Sequence, residues 1–309
     1  MNHRNSFSPS QYPSPWASEW GEDRHGLWQA FTYQQVRHVF RWIPKGSFMM
    51  GSPVEPVEEA GRFNDEDLHP VTISQGFWLA ETTVTQALWQ AVMYENPSHF
   101  MGANRPVEQV SWDDAQVFIE RLNSLHPNLT TRLPWEAEWE YACRAGSQAA
   151  FNFDGELTLA KVNYRGTWEY LGNFAEGAFQ QTAEVKTYPC NDWGLYEMHG
   201  NVWEWCQDSW QENLGKEAVC DPWSLPQPRG SARVVRGGSW DYNGGIVRSA
   251  IRRRLTPDVH LDCLGFRLAL GHSSPGGESR GLAAPGHGRT RRGAAADRGL
   301  ARLTRDCLR

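Results

Sequence analysis

Several things are missing from this 309-residue chain, and each absence removes a class of protein. No run of 18 apolar residues occurs, so no segment reads as a membrane-spanning helix. The start, MNHRNSFSPSQYPSPWASEW, has no apolar stretch behind its basic residues, so no secretory signal of the usual design is expected. The six cysteines (143, 190, 206, 220, 263 and 307) show no CxxC spacing, so neither a disulfide framework nor a zinc knuckle is indicated. Reduced thiols and a cytoplasmic location away from membranes are expected. Internal repeats are also lacking, and between residues 37 and 270 no linker-like stretch separates two domains. There is no basic excess either. Residues 271–309 carry eight Arg against three acids, net +5, which leaves −11 on the rest of a chain whose formal charge is −6. An acidic body does not attract nucleic acid, so no nucleic-acid partner is expected for the folded part.

What is present is apolar and aromatic: 40% hydrophobic residues and 16 tryptophans, enough for a core. Residues 1–36 read as a polar, aromatic leader that packs through Trp16, Trp20 and Trp28. A single domain is expected over 37–270, and a disordered Gly/Ala/Arg-rich tail over 271–309. FRWIPKGSFMMGS (40–52) alternates like a strand, with room for a bend at Pro44 and Gly46; VTISQGFWLAETTVT (71–85) predicts two short strands. Thr85 and Ser111 are expected to cap helices, the second with Asp114 in a short-chain capping box and with Ala115, Phe118, Ile119 and Leu122 on one face. A third helix is expected between Pro134 and Gly146. Its Glu136, Glu138 and Glu140 do not share a face, so no carboxylate pair for catalysis is read there. The acidic stretch around Asp65, Glu66, Asp67 and His69 reads as a solvated loop rather than a metal site.

The densest information lies in NDWGLYEMHGNVWEWCQDSW (191–210). Oxygen donors at Glu197, at the carbonyls of Gly200 and Val202, and at Glu204 fall within eight residues, an arrangement that suits a hard cation such as calcium. The competing reading pairs Glu204 with a buried arginine and leaves Glu197 exposed, and spacing alone does not choose between them. His199, between Met198 and a turn glycine, reads as structural.

Taken in order, FRWIPKGSFMMGS, TRLPWEAEWEYACRAG, GLYEMHGNVWEW, RVVRGGSW and LGFRLA resemble the formylglycine-generating enzyme (sulfatase-modifying factor) domain family over residues 37–270. The resemblance implies an α+β fold, a variant of the C-type lectin fold, loop-rich, with small antiparallel sheets and flanking helices. It also implies structural calcium, held by Glu197, Gly200, Val202 and Glu204, with Glu197 standing where Asn or Asp is usual. A second site would involve Asn163 and the Tyr164 carbonyl, but its acidic partner falls near Glu176–Phe179, where Gly177 interrupts the match.

Active members bind copper through two cysteines placed shortly after the GGS turn, because copper(I) requires soft thiolates. Here that interval reads WDYNGGIVRSAIRRR: Tyr242 stands near the first position and no residue supplies the second thiolate. Cys206 and Cys263 do not restore the spacing and read as small core residues. The histidine-bearing helical domain of the ergothioneine-type sulfoxide synthases, with its HxxxHxE segment, has no counterpart. Nor do His69, His99, His199 and His260 show a ligand spacing. Copper is therefore not expected, no catalytic residue is assigned, and the reading leans away from an enzyme.

A protein or peptide ligand, bound through the surface at residues 240–263, is expected instead. Its candidate contacts are Trp240, Asp241, Tyr242, Asn243, Ile246, Arg248, Ile251, Arg253, Leu255, Val259, His260, Leu261 and Asp262, on the grounds that loops on a rigid scaffold, aromatic rings and guanidinium groups favour recognition. At least one arginine there should pair inward with an acid such as Glu204 or Asp262, and Arg267 should be a buried partner. Residues 241–263 contain no Lys, Glu, Gln, Met or Trp. The variable proteins of diversity-generating retroelements, which share the fold, show that pattern when asparagine codons are mutagenised. The alternative is a metal-dependent oxidase of the same family that generates formylglycine or oxidises a thiol.

Overall fold

The computed structural model describes residues 8–54, 62–126, 128–168, 173–223, 228 and 230–271. The bend expected at Pro44 and Gly46 divides β3 (Val36–Ile43) from β4 (Gly46–Met50), and the two strands predicted next are β5 (His69–Ile73) and β6 (Phe77–Ala80). Chain direction changes at each break, so β3 pairs antiparallel with β6 while β4 and β5 form a separate sheet.

The sequence boundary at residue 36 is not a structural one. Two further strands, β1 (Glu19–Asp23) and β2 (Gly26–Tyr33), precede it, and β2 pairs with β3 from Trp28 to Tyr33. Trp16 is buried edge-on against Phe40, at 5.5 Å between ring centres, and Tyr12 stacks on Trp78. Trp16 thus packs as expected, whereas Trp20 is exposed.

The helices follow their sequence signals. In α1 (Gln86–Met93) the Thr85 hydroxyl accepts the Leu88 N–H. In α2 (Trp112–Leu125) the capping box closes in both directions between Ser111 and Asp114, and the buried residues are the four predicted. Trp89 of α1 stacks on Phe118 of α2 at 5.2 Å, and Phe266 meets both rings edge-on. Burying one such phenylalanine stabilises the fold by roughly 1.5–3 kcal/mol. The third helix, α3 (Glu136–Arg144), starts two residues after Pro134 and ends with Ala145 in the left-handed region. Every residue of α3 is buried, so its three glutamates need partners.

The remaining strands are β7 (Thr131–Arg132), β8 (Trp203–Ser209), β9 (Val219–Cys220), β10 (Arg233–Arg236), β11 (Arg252–Leu255), β12 (Leu264–Gly265) and β13 (Ala269–Leu270). They complete a six-stranded sheet in the order β1-β2-β3-β6-β13-β7, a four-stranded sheet β11-β10-β8-β12, and a three-stranded sheet β4-β5-β9. Two pairings, β12 with β8 and β5 with β9, are parallel, so the small sheets are mixed rather than purely antiparallel. Residues 272–309, read from sequence as a disordered tail, lie outside the described residues. Among the described residues no helix is long and apolar enough to cross a membrane.

Candidate functional site

The stretch from 237 to 263 runs between β10 and β12 and is fixed from beneath by arginines. At Gly238, φ is 72° and a side chain would strike the Ile246 carbonyl, so only glycine lets the two segments approach this closely. Arg236 is fully buried; its guanidinium binds Glu140 and the carbonyls of Ala250 and Ile251. Arg248 makes a two-pronged pair with Glu66 at 2.7 and 2.8 Å, and Arg252 does the same with Glu136. Arg144 closes onto Glu140 at 2.8 Å, and Arg132 onto Glu138 at 2.7 Å. Paired guanidinium and carboxylate groups of this kind can stay ionised away from water. The Arg252 and Arg236 charges hold the Glu136 carboxyl below the usual range against a desolvation effect that pushes the other way.

Two expectations change here. The acidic stretch is not a solvated loop: Glu66 and His69 are buried, and Glu66 is the counter-ion of Arg248. Of the glutamates of α3, Glu136 and Glu140 anchor the 236–252 segment through Arg252 and Arg236, while Glu138 holds Arg132. The inward-pairing arginine foreseen in this region is realised by Arg248 and Arg252, with Glu66 and Glu136 as partners in place of Glu204 or Asp262.

The anchoring divides the candidate contacts. Residues 243–252 are all buried, so Asn243, Ile246, Arg248 and Ile251 are withdrawn from the surface; Ile246 and Ile251 join the main apolar core. What faces solvent is a shorter rim, with Asp241, Tyr242, Arg253, Leu255, Val259 and Asp262 half-buried and His260 and Leu261 exposed. Trp240 lies 9% exposed at its inner edge. It stacks on Phe174 at 5.9 Å and meets Phe100 edge-on at 5.4 Å. Tyr242 stands edge-on to Trp203 at 5.6 Å and accepts a hydrogen bond from Arg253. Arg165 donates to the Asp241 carbonyl at 2.7 and 3.0 Å while lying over Phe174. His260 pairs with Asp114 of the α2 capping box at 2.8 Å.

The site carries an unusual set of carboxyls. Burial pushes the Asp241 carboxyl up, with Asp262 adding to the effect while a 2.7 Å hydrogen bond from Ser239 opposes it. Glu108 is fully buried and also raised, by burial and by Asp262; its Oε1 accepts the Phe100 N–H at 2.7 Å and its Oε2 has no partner. Sequence reasoning missed Phe100 and Glu108, which come from the α1–α2 connection, and Arg165 and Phe174, which come from the α3–β8 connection, because no local pattern marks them.

The residues expected to hold metal come together only in part. Glu204 binds the buried Arg267 through both oxygens at 2.6 Å and accepts the Trp139 indole N–H at 2.7 Å, so the arginine pairing foreseen from sequence is realised. Glu197 is not exposed, as that competing reading supposed; it is 8% exposed, has φ of 48°, and its Oε2 finds no partner. Desolvation, with a smaller contribution from Glu204, pushes its carboxyl up to about 7. Asn163 bridges to Gly200, and its Oδ1 is likewise buried without a partner, while Tyr164 is buried beside it. His199 is structural: burial holds it down to about 4, and its Nδ1 meets the Val247 carbonyl at 2.7 Å.

Cysteines do not pair among the described residues. Cys206 and Cys263 belong to the apolar cores, as their sequence context indicated, and burial drives both thiols well above their ordinary range. Cys263 nevertheless lies directly under the rim, within reach of Ser239 and Asp241.

Comparison with known proteins bears on this geometry. The family described as sulfatase-modifying factor enzyme 1-like domain matches residues 31–271. Over 212 residues the chain is 34% identical to the formylglycine-generating enzyme of Mus musculus, covering 66% of this chain and 54% of that protein. Against the formylglycine-generating enzyme of Thermomonospora curvata it is 35% identical over 206 residues, 62% of this chain and 63% of the relative. A bovine protein named inactive C-alpha-formylglycine-generating enzyme 2 is 34% identical over 181 residues, 56% of this chain and 52% of the relative. The chain therefore spans little more than half the length of these relatives. Among solved structures, Treponema denticola variable protein 1 superposes with a TM-score of 0.64 at 28% identity, covering 78% of this chain and 98% of that one. PvdO from Pseudomonas aeruginosa gives 0.62 at 25% identity, with 82% and 98% covered.

Proposed function

Given that the chain belongs to the sulfatase-modifying factor enzyme 1-like domain family and has its loop-rich α+β variant of the C-type lectin fold, we propose that it is a binding protein whose 240–263 rim recognises a protein or peptide. One observation carries the reading. Where the family's oxidases would present a pair of thiolates, this chain presents a ring and a guanidinium: Tyr242, braced by Trp203 and Arg253, on a base of buried ion pairs. A rigid base lowers the ordering cost of binding, and Tyr, Trp and Arg are the side chains that dominate recognition energies. The bovine relative named inactive and the neighbour named a variable protein support a non-catalytic use of the scaffold. Retroelement-type diversification of residues 241–263 is a narrower form of the same reading.

The alternative is a metal-dependent oxidase that generates formylglycine or oxidises a thiol. It is favoured by the active relatives and by Cys263, a single thiol beneath Ser239 and Asp241. The decisive experiment incubates copper-loaded protein with a cysteine-containing peptide of the sulfatase type and follows oxygen uptake and aldehyde formation. No turnover is expected; turnover abolished in Cys263→Ala would replace the binding reading. A positive test selects peptides on the folded protein from a random display library. Affinity should fall at least about tenfold in Tyr242→Ala if the rim is the binding face.

Calcium is proposed as a structural ion. The orphaned oxygens of Glu197 and Asn163 are the fit: both are buried acceptors with no donor, the condition a hard cation relieves. Glu197 would hold it with the Gly200 and Val202 carbonyls. Glu204 could contribute while remaining paired with Arg267, and Asn163 and Tyr164 would serve a second ion.

A further inference from the structure

Cys190 stands apart from the rim and from the buried thiols. It is half-exposed, and its sulfur lies 3.6 Å from Nε2 of His25 in the β1–β2 turn, 165 residues earlier in the chain. The imidazole is oriented from its other side: Nδ1 lies 3.0 Å from the Asp192 carbonyl, which can only accept, so Nδ1 carries the proton and Nε2 is the unprotonated nitrogen on the side of the thiol, its lone pair held by Arg24 in this structure. The exposed Arg24 donates to the same Nε2 at 2.9 Å, placing a cation beside the pair.

This arrangement is built rather than incidental. Gly194, at φ of 77°, brings the 191–194 turn against the β1–β2 turn, where a side chain would meet Arg41 and the Cβ of His25. Two remote segments are thereby locked so that a thiol, a base and the carbonyl orienting that base fall in line, the pattern that activates a cysteine nucleophile. The same structure contains the contrasting case. Cys220 is more exposed, yet desolvation and then the Asp221 carboxylate that its sulfur faces push that thiol up.

We propose that Cys190 and His25 form a reactive thiol site, a point of modification by peroxides and soft electrophiles. In the peroxide reaction the sulfur attacks one peroxide oxygen as Nε2 of His25 takes the thiol proton. An S–O bond forms and the O–O bond breaks. The departing hydroxide recovers the proton from His25 and leaves as water, so the sulfur is oxidised to a sulfenic acid and the peroxide is reduced. Arg24, on a rotatable exposed side chain, yields its place at Nε2 during the transfer and keeps its charge nearby.

The test is peptide-resolved iodoacetamide labelling of the intact chain near neutral pH, followed by hydrogen peroxide with dimedone trapping. Cys190 should label at least about tenfold faster than Cys220 and should be the main dimedone adduct. In His25→Gln the Cys190 rate should drop to that of Cys220, with the difference greatest below pH 8, where a neighbouring base matters most. Equal rates for Cys190 and Cys220 in the unaltered protein would overturn the proposal without recourse to any variant. An undiminished Cys190 rate in a folded His25→Gln protein would overturn the role of the histidine.

Discussion

Glu197 allows a quantitative test of how this fold tolerates a buried charge. Its carboxyl is held at about 7, against 4.5 for an ordinary glutamate. Between those values the folded chain binds a proton that the unfolded chain has released, so stability is complete below about pH 4.5 and is lost as pH rises through about 7. At 1.36 kcal/mol for each tenfold change in proton affinity, the loss at pH 8 amounts to about 3 kcal/mol. Replacing Glu197 with Gln removes the ionisation and keeps the shape. In calcium-free buffer the two proteins should differ little in urea denaturation at pH 4.5, whereas at pH 8 the variant should be more stable by about 3 kcal/mol. His199 and His38, held down to about 4 and about 3, give slopes of the opposite sign, but they contribute equally to both proteins and cancel in the difference. Millimolar calcium should raise the stability of the unaltered protein at pH 8 and that of the variant much less, by linkage to a bound ion. If the two pH profiles run parallel from 4.5 to 8, the carboxylate is not desolvated as described, and the calcium proposal loses its main support.

Removing one member of the buried pairs should be costly: Arg236→Met leaves Glu140 with Arg144 as its remaining cation and leaves two carbonyls without their donor, so a loss of about 3 kcal/mol is expected in chemical denaturation. His199→Gln should flatten the acid limb of the stability curve, because a histidine held down to about 4 contributes stability that is lost as pH falls from about 6.5 to about 4; an unaltered acid slope would contradict its burial as a neutral ring. Ser111→Ala opens the α2 capping box and should cost about 1 kcal/mol, read as a lowered melting temperature.

Local chemistry was legible in the sequence and remote pairing was not. Thr85, Ser111 and Asp114 announce their helices because a cap acts within three residues, and the β3–β4 bend is readable because Pro44 and Gly46 sit on it. The family and its fold were legible through five ordered motifs. By contrast, Arg248 meets Glu66 across 182 residues and Arg252 meets Glu136 across 116, and nothing near either arginine says which acid it will find. For the same reason Glu66 looked solvated, and Ile246 and Ile251 looked like loop contacts. The 240–263 interval has the composition of a surface loop, yet half of it is drawn inward by ion pairs whose acids lie elsewhere. The leader was legible in part: Trp16 packs as its aromatic character suggests, but the pairing of β1 with β2 and of β2 with β3 was not read from it.

The alternation along β11 sets a limit on how this surface can change over evolutionary time. Arg252 is locked to α3, Arg253 leans on Tyr242, and Arg254 reaches outward to Glu212, so positions one residue apart differ sharply in their freedom to vary. Any repertoire written into this segment would be shorter than the segment. Its variants could be exchanged at 253–256 and 258–262 without disturbing the register of the strand, whereas changes within 243–252 would alter the platform on which every other variant depends.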